Sequence, residues 1–543
     1  MRILGISPFH DSSVAIINDG QIEYFSKEER LTRKKRDRLG LLSLKKADDY
    51  KKGHIDYIVI TSPWFDDPYN NKLELYFKKK YPNTPVLRMC NEHHLSHASL
   101  AFYNSGFDKC LTVVIDRNGS KFERLFESES IFISEYPNKF TPIYKSYCLD
   151  KIGINEDFLN FKKIKEITKD WPDCDIKADS TMNITKVYES ATTFIGQHCL
   201  ENGKTMGLSS YGKDKPFKKL FVDGLPNSNL FVSLNDDDNS VLLKSHLDKK
   251  TNKVTKENYE QYADYAYQVQ TQTKEEVLDL IKKYVNKTNI KKVCITGGYG
   301  LNVVTNEYLI KNLPDVDFYF EPLADDTGNS LGSAMYIYRD KTKDISRYPL
   351  KHTFFNNVKE DINIDGRDVT IREIANHLDK GKIVAVYNGQ SEAGPRALGN
   401  RSILFDPRNV NAKEIVNKVK NREWYRPFAG SVLKEDMADY FETHHIKDSP
   451  FMTISFQSKT NKIPGITHVD NSCRIQSVDR DISHFYELLN EFKSITNVSV
   501  LLNTSFNMAG EALVETVSDA INTFKKTDID ILWFPEINKM MTK

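Results

Sequence analysis

The chain is poor in the features that would assign it quickly. Seven cysteines in 543 residues (90, 110, 148, 174, 199, 294 and 473) include no Cys-x-x-Cys pair, and the odd count argues against a disulfide framework and for a reducing, cytoplasmic setting. Neither charge predominates. Lys plus Arg number 76 against 75 Asp plus Glu, a formal charge of +1, so no bulk field points to nucleic acid or a membrane surface. No apolar run approaches membrane-spanning length, and the N-terminal Met1 to His10 meets charge and turn residues too early for a signal segment. A Walker lysine loop and the Rossmann glycine spacing are both missing. The acidic stretch at 235–239 lacks the glycine and terminal glutamate of a calcium loop, which leaves a solvated turn.

What is present begins with Asn91 to Phe102, where His93 and His97 stand four apart and share one face if the stretch is helical. Two imidazoles so placed are half of a metal site, and the Glu that follows the first His in zinc proteases is absent here. Length alone predicts two or three domains. The order of predicted elements is a β-meander followed by alternating strands and helices, which indicates an α/β fold. Strands are expected at Ile3 to Ser7 and on both sides of the turn Asn18-Asp19-Gly20, with His10 and Asp11 in the turn after the first strand. Helices are expected near Leu41 to Lys52, from Asn71, and over Tyr259 to Val285. Residues Asp150 to Asp179 carry charges and aromatics without a period, and read as a surface excursion or lid.

Several junctions invite anionic ligands. Leu111 to Asp116 is a buried-looking strand ending in a carboxylate. Lys204 lies between glycines, with Gly207 close behind, a pattern that can hold phosphate. The strand at Lys292 to Thr296 runs into Gly297-Gly298 and Asn302, and Asp326 with Gly328 marks a second strand-to-helix junction. Periodicity lapses between Tyr348 and Asp365, so a domain boundary is placed there, giving domains 1–355 and 356–543. Beyond it, Arg396 and Arg401 sit in a glycine-rich stretch, and Lys420, Arg422 and Arg426 follow among aromatics. Arginine forks beside free amides suit phosphate. The strand Val498 to Leu502 is expected to deliver Asn503, Thr504, Ser505 and Asn507 at its exit as another polar cradle.

Taken in order, these motifs resemble the O-carbamoyltransferases of antibiotic and nodulation-factor biosynthesis, the NodU/CmcH type, over nearly the whole chain. The resemblance rests on His10-Asp11-Ser-Ser, Glu28-Glu29-Arg30-x-Thr-Arg33, His93-His-x-x-His97, Gly203-Lys204-x-Met-Gly-Leu, Gly297-Gly298-x-x-Leu-Asn302, Asp326-x-Gly328, Gly394-Pro-Arg-Ala-Leu-Gly-Asn-Arg-Ser402, Arg426-Pro-Phe and Leu502-Asn-Thr-Ser-Phe-Asn507. It implies an N-terminal actin-like ATPase domain similar to the tRNA threonylcarbamoyl transferase (TsaD-like) and a C-terminal YrdC-like domain. It further implies that the second domain forms a carbamoyl adenylate from carbamoyl phosphate and ATP with its Mg, and that an acceptor hydroxyl takes the carbamoyl group in the first.

By position, the resemblance makes His93, His97, Asp116 and Asp326 the ligands of a divalent metal, Fe(II) first, Zn or Mn otherwise. His10 and Asp11 fall at the transfer site, and Arg396, Lys420, Arg401, Arg422, Arg426 and Ser505 at the activation site. Three departures stand out: Arg117 replaces the glycine that usually follows Asp116, Glu511-Ala512-Leu513 replaces Glu-Pro-Ile, and Ser209-Ser210-Tyr211-Gly212 replaces Ala-Pro-Tyr-Gly. The expected partner is a small hydroxyl-bearing acceptor, a sugar or a hydroxymethyl pyrimidine nucleotide, without membrane or polymeric nucleic acid; a homodimer is left open. Two other classes are weighed, a tRNA threonylcarbamoyl enzyme and a non-catalytic nucleotide-binding scaffold. The first would need a basic stripe for tRNA, and the second would not require two separate charged clusters.

Overall fold

The computed structural model describes residues 1–543 except 51–52, 64–67, 123–124, 150–164, 166–167, 179–181, 235–239, 248–253 and 358. The acidic turn at 235–239 and most of the expected excursion lie outside the described residues; its end, Asp175–Ala178, is a strand. The chain is mixed α/β and divides into two compact units. One comprises Met1–Ile6, Ile17–Gln21 and Ile55–Pro349; the other comprises Ser7–Ile16, Ile22–His54 and Leu350–Lys543.

The N-terminal residues form the three expected strands, β1 (Arg2–Ser7), β2 (Ser13–Asn18) and β3 (Gln21–Lys27). Asp19 (φ 47°) and Gly20 (φ 80°) adopt the left-handed backbone that a two-residue hairpin turn demands. Helices α1 (Glu28–Thr32) and α2 (Leu41–Tyr50) follow. The buried Glu28 carboxylate accepts from the amides of Leu42 and Ser43 at 3.0 and 2.8 Å, satisfying donors that the start of α2 would otherwise leave orphaned.

In the first unit, β4 (Tyr57–Ser62) pairs in parallel with β1 and with β5 (Val86–Cys90), with α3 (Pro68–Lys80) between them in sequence. Helix α3 starts three residues before the expected Asn71, because Pro68 suits a first helical turn. The histidine stretch is α4 (His93–Ser105), closed by Gly106 in the left-handed region. The central strand β6 (Lys109–Ile115) pairs antiparallel with β7 (Leu125–Glu135), which pairs antiparallel with β8 (Lys139–Leu149); β9 (Asp175–Ala178) lies parallel to β8.

Two further helices, α5 (Ile184–Phe194) and α6 (Asn202–Ser209), precede the long α7 (Tyr259–Thr288), which extends three residues beyond the expected end. On the other side of β6 lie β10 (Lys292–Thr296) and β11 (Asp317–Phe320), both parallel, with α8 (Val303–Asn312) between them in sequence and α9 (Asn329–Thr342) after them. Small residues let α4 and α9 approach closely: a Cβ on Gly332 would stand 2.0 Å from the Ser96 carbonyl oxygen.

In the second unit, β12 (Phe354–Asn356) pairs with β3 at Asn356 and Phe25. A ten-stranded sheet has as its middle β13 (Val384–Tyr387), β14 (Arg401–Phe405), β15 (Ala429–Leu433), β16 (Ser472–Val478) and β17 (Val500–Ser505), in the spatial order β13–β14–β17–β15–β16. Helix α10 (Ala412–Lys420) ends at Asn421 in the left-handed region. Strand β17 runs three residues past the expected Leu502, because Asn503 stays in register with Ala429 and Leu404. Asn503, Thr504 and Ser505 are thus strand residues rather than a loop beyond its exit. Arg401 likewise opens a strand and is not part of the glycine-rich loop.

Candidate functional site

In the first unit α4, β6 and the turn before α9 bring together four ligand-type side chains. His93, His97, Asp116 and Asp326 are all buried, and one ligand atom of each lies within 4.8 Å of the others. His93 Nε2 is 3.2 Å from Asp116 Oδ2 and 3.3 Å from Asp326 Oδ1; His97 Nε2 is 3.2 Å from His93 Nε2 and 3.3 Å from Asp326 Oδ1. Bonds of about 2.0–2.2 Å to one ion would place neighbouring ligand atoms roughly 3.0–3.5 Å apart, so this donor set fits a divalent cation. Burial disfavours charge on His93, yet the Asp326 and Asp116 carboxylates win and raise its pKa to about 10. Burial would raise the Asp116 carboxyl, and the hydrogen bond from His93 with the nearby imidazoles instead lowers it to about 2.

The surroundings fix these groups. Gly298 N–H donates to Asp116 Oδ1 at 3.2 Å, and Gly297 (φ 80°) permits that turn, since a Cβ there would lie 2.4 Å from the Ile115 carbonyl oxygen. The His93 backbone amide donates to Ser120 Oγ at 3.0 Å. A Cβ on Gly328 would lie 2.2 Å from the Leu323 carbonyl oxygen, so the turn bearing Asp326 packs against backbone. Asn302 caps α8 by accepting from Thr305 N at 3.1 Å and donates to Gln270. Gly297, Gly298 and Gly328, expected to cradle an anionic ligand, thus lie around the four-ligand cluster, and Asn302 caps a helix. Lys204 and Gly207 fall within α6, where Lys204 Nζ donates to Gln197 Oε1 (2.6 Å) and Glu201 Oε2 (3.0 Å). Arg117, which follows Asp116, grips Glu189 through Nε at 2.7 Å and Nη2 at 3.2 Å.

His10 and Asp11 belong to the second unit, half-buried, with His10 Nδ1 3.0 Å from Asp11 Oδ2. Asp11 has φ 59°, and the turn is tied down by Ser12 Oγ donating to the Ser7 carbonyl and Ser12 N donating to the Asp37 carbonyl.

The second unit also holds a cluster of the opposite sign. Lys420 is buried at the end of α10, where its ammonium donates to the Ser505 carbonyl oxygen, the Asn507 carbonyl oxygen (2.8 Å) and Asn507 Oδ1 (3.1 Å). Ser505 Oγ donates to Asn507 Oδ1 at 2.6 Å. Burial and the neighbouring Arg422 and Arg426 push the Lys420 pKa well down. Arg422 donates to Thr504 Oγ1 at 3.4 Å and lies over the Phe428 ring, and Arg426 pairs with Glu423 at 3.3 Å. Arg474, on β16, was not singled out by the sequence. Burial, then Arg396, Arg422 and Arg426, push its pKa down as well, so four arginines and a lysine share one neighbourhood. A strand arginine without glycines beside it gives no local signal; only the parallel register of β16 with β15 carries it there.

Arg401 is committed elsewhere. Its guanidinium is buried and 3.6 Å from the Tyr387 ring centroid, with Nη1 donating to the carbonyls of Asn388 and Asn400 and Nη2 to those of Gly389 and Glu515. Asn503 is equally occupied, donating to Ala397 O, Ser431 Oγ and Gln476 Oε1. Both hold the Arg396 loop in shape. The fully buried Glu392 completes that scaffold, accepting from the amides of Leu398, Asn400 and Arg401 at 2.7, 3.0 and 3.3 Å.

Among the described residues, no helix is long and apolar enough to cross a membrane. Comparison with known proteins finds the carbamoyltransferase N-terminus family over residues 65–335 and the carbamoyltransferase C-terminus family over residues 375–541. The chain is similar to nodulation protein NolNO of Sinorhizobium fredii (strain NBRC 101917 / NGR234), 28% identical over 96% of this chain and 77% of that protein. Nodulation protein NolO of Bradyrhizobium diazoefficiens is 31% identical over 63% of this chain and 66% of its own length. Among solved structures, full-length HypF in a phosphate- and nucleotide-bound form covers 63% of this chain and 56% of its own at 14% identity and a TM-score of 0.38. The expected resemblance holds across both halves, and the chain belongs to the carbamoyltransferase family.

Proposed function

We propose that the chain is an ATP-dependent O-carbamoyltransferase that divides its chemistry between the two charged clusters. The observation that carries this reading is their opposite character: a buried convergence of cations in one unit, a buried His2Asp2 donor set in the other. Like charges crowded out of water are costly, and an anion with several charges offsets that cost. Carbamoyl phosphate and ATP, with its Mg, are such anions. Water cleaves carbamoyl phosphate to carbamate and inorganic phosphate, and a carbamate oxygen then bonds to the α-phosphorus of ATP as pyrophosphate leaves. Lys420, Arg396, Arg422, Arg426 and Arg474 neutralise charge on the leaving groups, and Ser505 orients the bound anion. Arg401 and Asn503 act from behind, holding the loop that carries Arg396. The C-terminal part, 356–543, is on this reading the activating domain of YrdC-like type, and 1–355 the actin-like, metal-bearing transfer domain.

In the transfer step an acceptor hydroxyl attacks the carbamoyl carbon and AMP leaves. A divalent ion held by His93, His97, Asp116 and Asp326, Fe(II) first by its mixed donor set, would supply Lewis acidity at the carbamoyl carbonyl. His10, with Asp11 Oδ2 3.0 Å from its Nδ1, is by the resemblance the candidate general base. The acceptor is a small molecule, a sugar or a hydroxymethyl pyrimidine nucleotide. The test is incubation with carbamoyl phosphate, ATP and a panel of aminoglycosides, nucleotide sugars and hydroxymethyl pyrimidine nucleotides, read by the mass gain of one carbamoyl. A gain on one acceptor class that requires ATP supports the reading. Carbamoylation without ATP contradicts the adenylate route.

A further inference from the structure

The residue after Asp116 is an arginine, and the structure shows what it holds. Asp116 ends β6, and the turn 116–119 that follows is gripped twice from α5. Asn183, the N-cap of that helix, accepts from Lys186 N at 2.7 Å and donates its side-chain amide to the Arg117 carbonyl, also at 2.7 Å. One further turn along the helix, Glu189 takes the Arg117 side chain in a two-pronged ion pair at 2.7 and 3.2 Å. The Glu189 side chain is fully buried, whereas that of Arg117 is 22% exposed, so the carboxylate is the fixed end of the pair. At its far end the turn is wedged against α4: a Cβ on Gly119 would lie 2.4 Å from His94 Nε2. A loop held at both ends and along its backbone leaves its first residue, Asp116, little freedom.

We propose that the Arg117–Glu189 pair is a positioning device for the Asp116 carboxylate, through which α5 sets the affinity and geometry of the four-ligand cluster for a divalent cation. The inference rests on the reading of that cluster as a metal site. Outer partners that fix a ligand's orientation typically account for ten- to a hundredfold in metal affinity. The pair is neutral overall, so replacing both members leaves the field at the cluster nearly unchanged, and any loss of affinity then reports geometry. Replacing Arg117 alone would leave Glu189 as a buried, unpaired charge and confuse the two effects.

The experiment is a titration of chelator-treated full-length protein with Co(II), read by its d–d absorption. Arg117→Met with Glu189→Gln is expected to bind Co(II) about ten- to a hundredfold more weakly, with a shifted band at saturation and an unchanged far-ultraviolet circular dichroism spectrum. Wild-type affinity and an unshifted band in that double variant would overturn the inference. Should the double variant misfold, Arg117→Lys keeps the charge but loses the fork, and the same criteria apply to it. If the unaltered protein itself binds no Co(II), the metal reading fails and the inference fails with it; if it binds and the variants match it, only the positioning role fails.

Discussion

The two charged clusters reach burial by opposite means. In the first unit, donors of mixed type converge: two imidazoles and two carboxylates, whose negative charge a divalent ion would balance. In the second unit, cations gather around Lys420, and burial first, then the neighbouring arginines, hold Lys420, Arg422 and Arg474 below their ordinary values. The first arrangement is complete once a single small ion is added. If the second takes up an extended anion, as proposed, its stability should respond to that ligand more than the stability of the first responds to a metal. The lesson is that the sign pattern of a buried cluster, more than any one residue, states the class of its ligand.

The contrast can be broken most sharply at Lys420. Lys420→Ala should lower acceptor-independent turnover of carbamoyl phosphate with ATP by roughly a thousandfold, as expected for a group that neutralises developing phosphoryl charge, while metal content stays at the wild-type value. Loss of metal in this variant would mean that the clusters are not separate.

Arg401 offers the next largest effect, on stability rather than chemistry. Its truncation leaves the Asn388 and Gly389 carbonyls without their donor, while the Asn400 and Glu515 carbonyls keep the Asn388 N–H and the Tyr387 hydroxyl; at about 1–3 kcal/mol for each orphaned group that stays buried, Arg401→Met should unfold at lower denaturant. Arg396→Met should lose turnover with its denaturation midpoint unchanged. Equal stability of the two variants would reverse the roles assigned here.

A smaller effect separates the units by pH. Glu321, buried beside Asn104 and Tyr319 in the first unit, has its carboxyl raised by burial to about 7. A raised folded value means that the native state holds the proton more tightly than the unfolded chain. The stabilisation is therefore full below the ordinary carboxylate range, near 4.5, and is lost as pH rises through about 7. Glu321→Gln should remove this dependence, with a gain on the order of 3 kcal/mol at pH 8 relative to pH 4.5. Thermal melts at the two pH values check it, and an unchanged slope in the variant would contradict it. The smallest effect is at the cap of α5: Asn183→Ala should cost about 1 kcal/mol, measurable by urea denaturation.

The sequence was most legible where chemistry and periodicity coincide. His93 and His97 announce a shared helical face by spacing alone, and α4 forms over those residues with both imidazoles turned to one point. Asp116 and Asp326 were reached through strand ends and through resemblance, because only folding sets them beside that helix. Sequence is silent on the structural partners of polar residues: Arg401, Asn503, Asn302 and Lys204, ligand-binding candidates by type, also engage carbonyls, side chains or a helix end. Arg474 went unseen for the converse reason, lying on an ordinary strand that sheet register alone delivers to Lys420's neighbourhood. Nothing in the local pattern separates an arginine that clamps backbone from one that awaits an anion.

The most direct test of the division of labour pairs two readouts on two variants: iron, zinc and manganese content by elemental analysis, and acceptor-independent, ATP-dependent turnover of carbamoyl phosphate. The account predicts that His93→Ala with His97→Ala loses the metal and keeps the turnover, whereas Lys420→Ala keeps the metal and loses the turnover. Loss of both properties in either variant, with the fold intact, would contradict it.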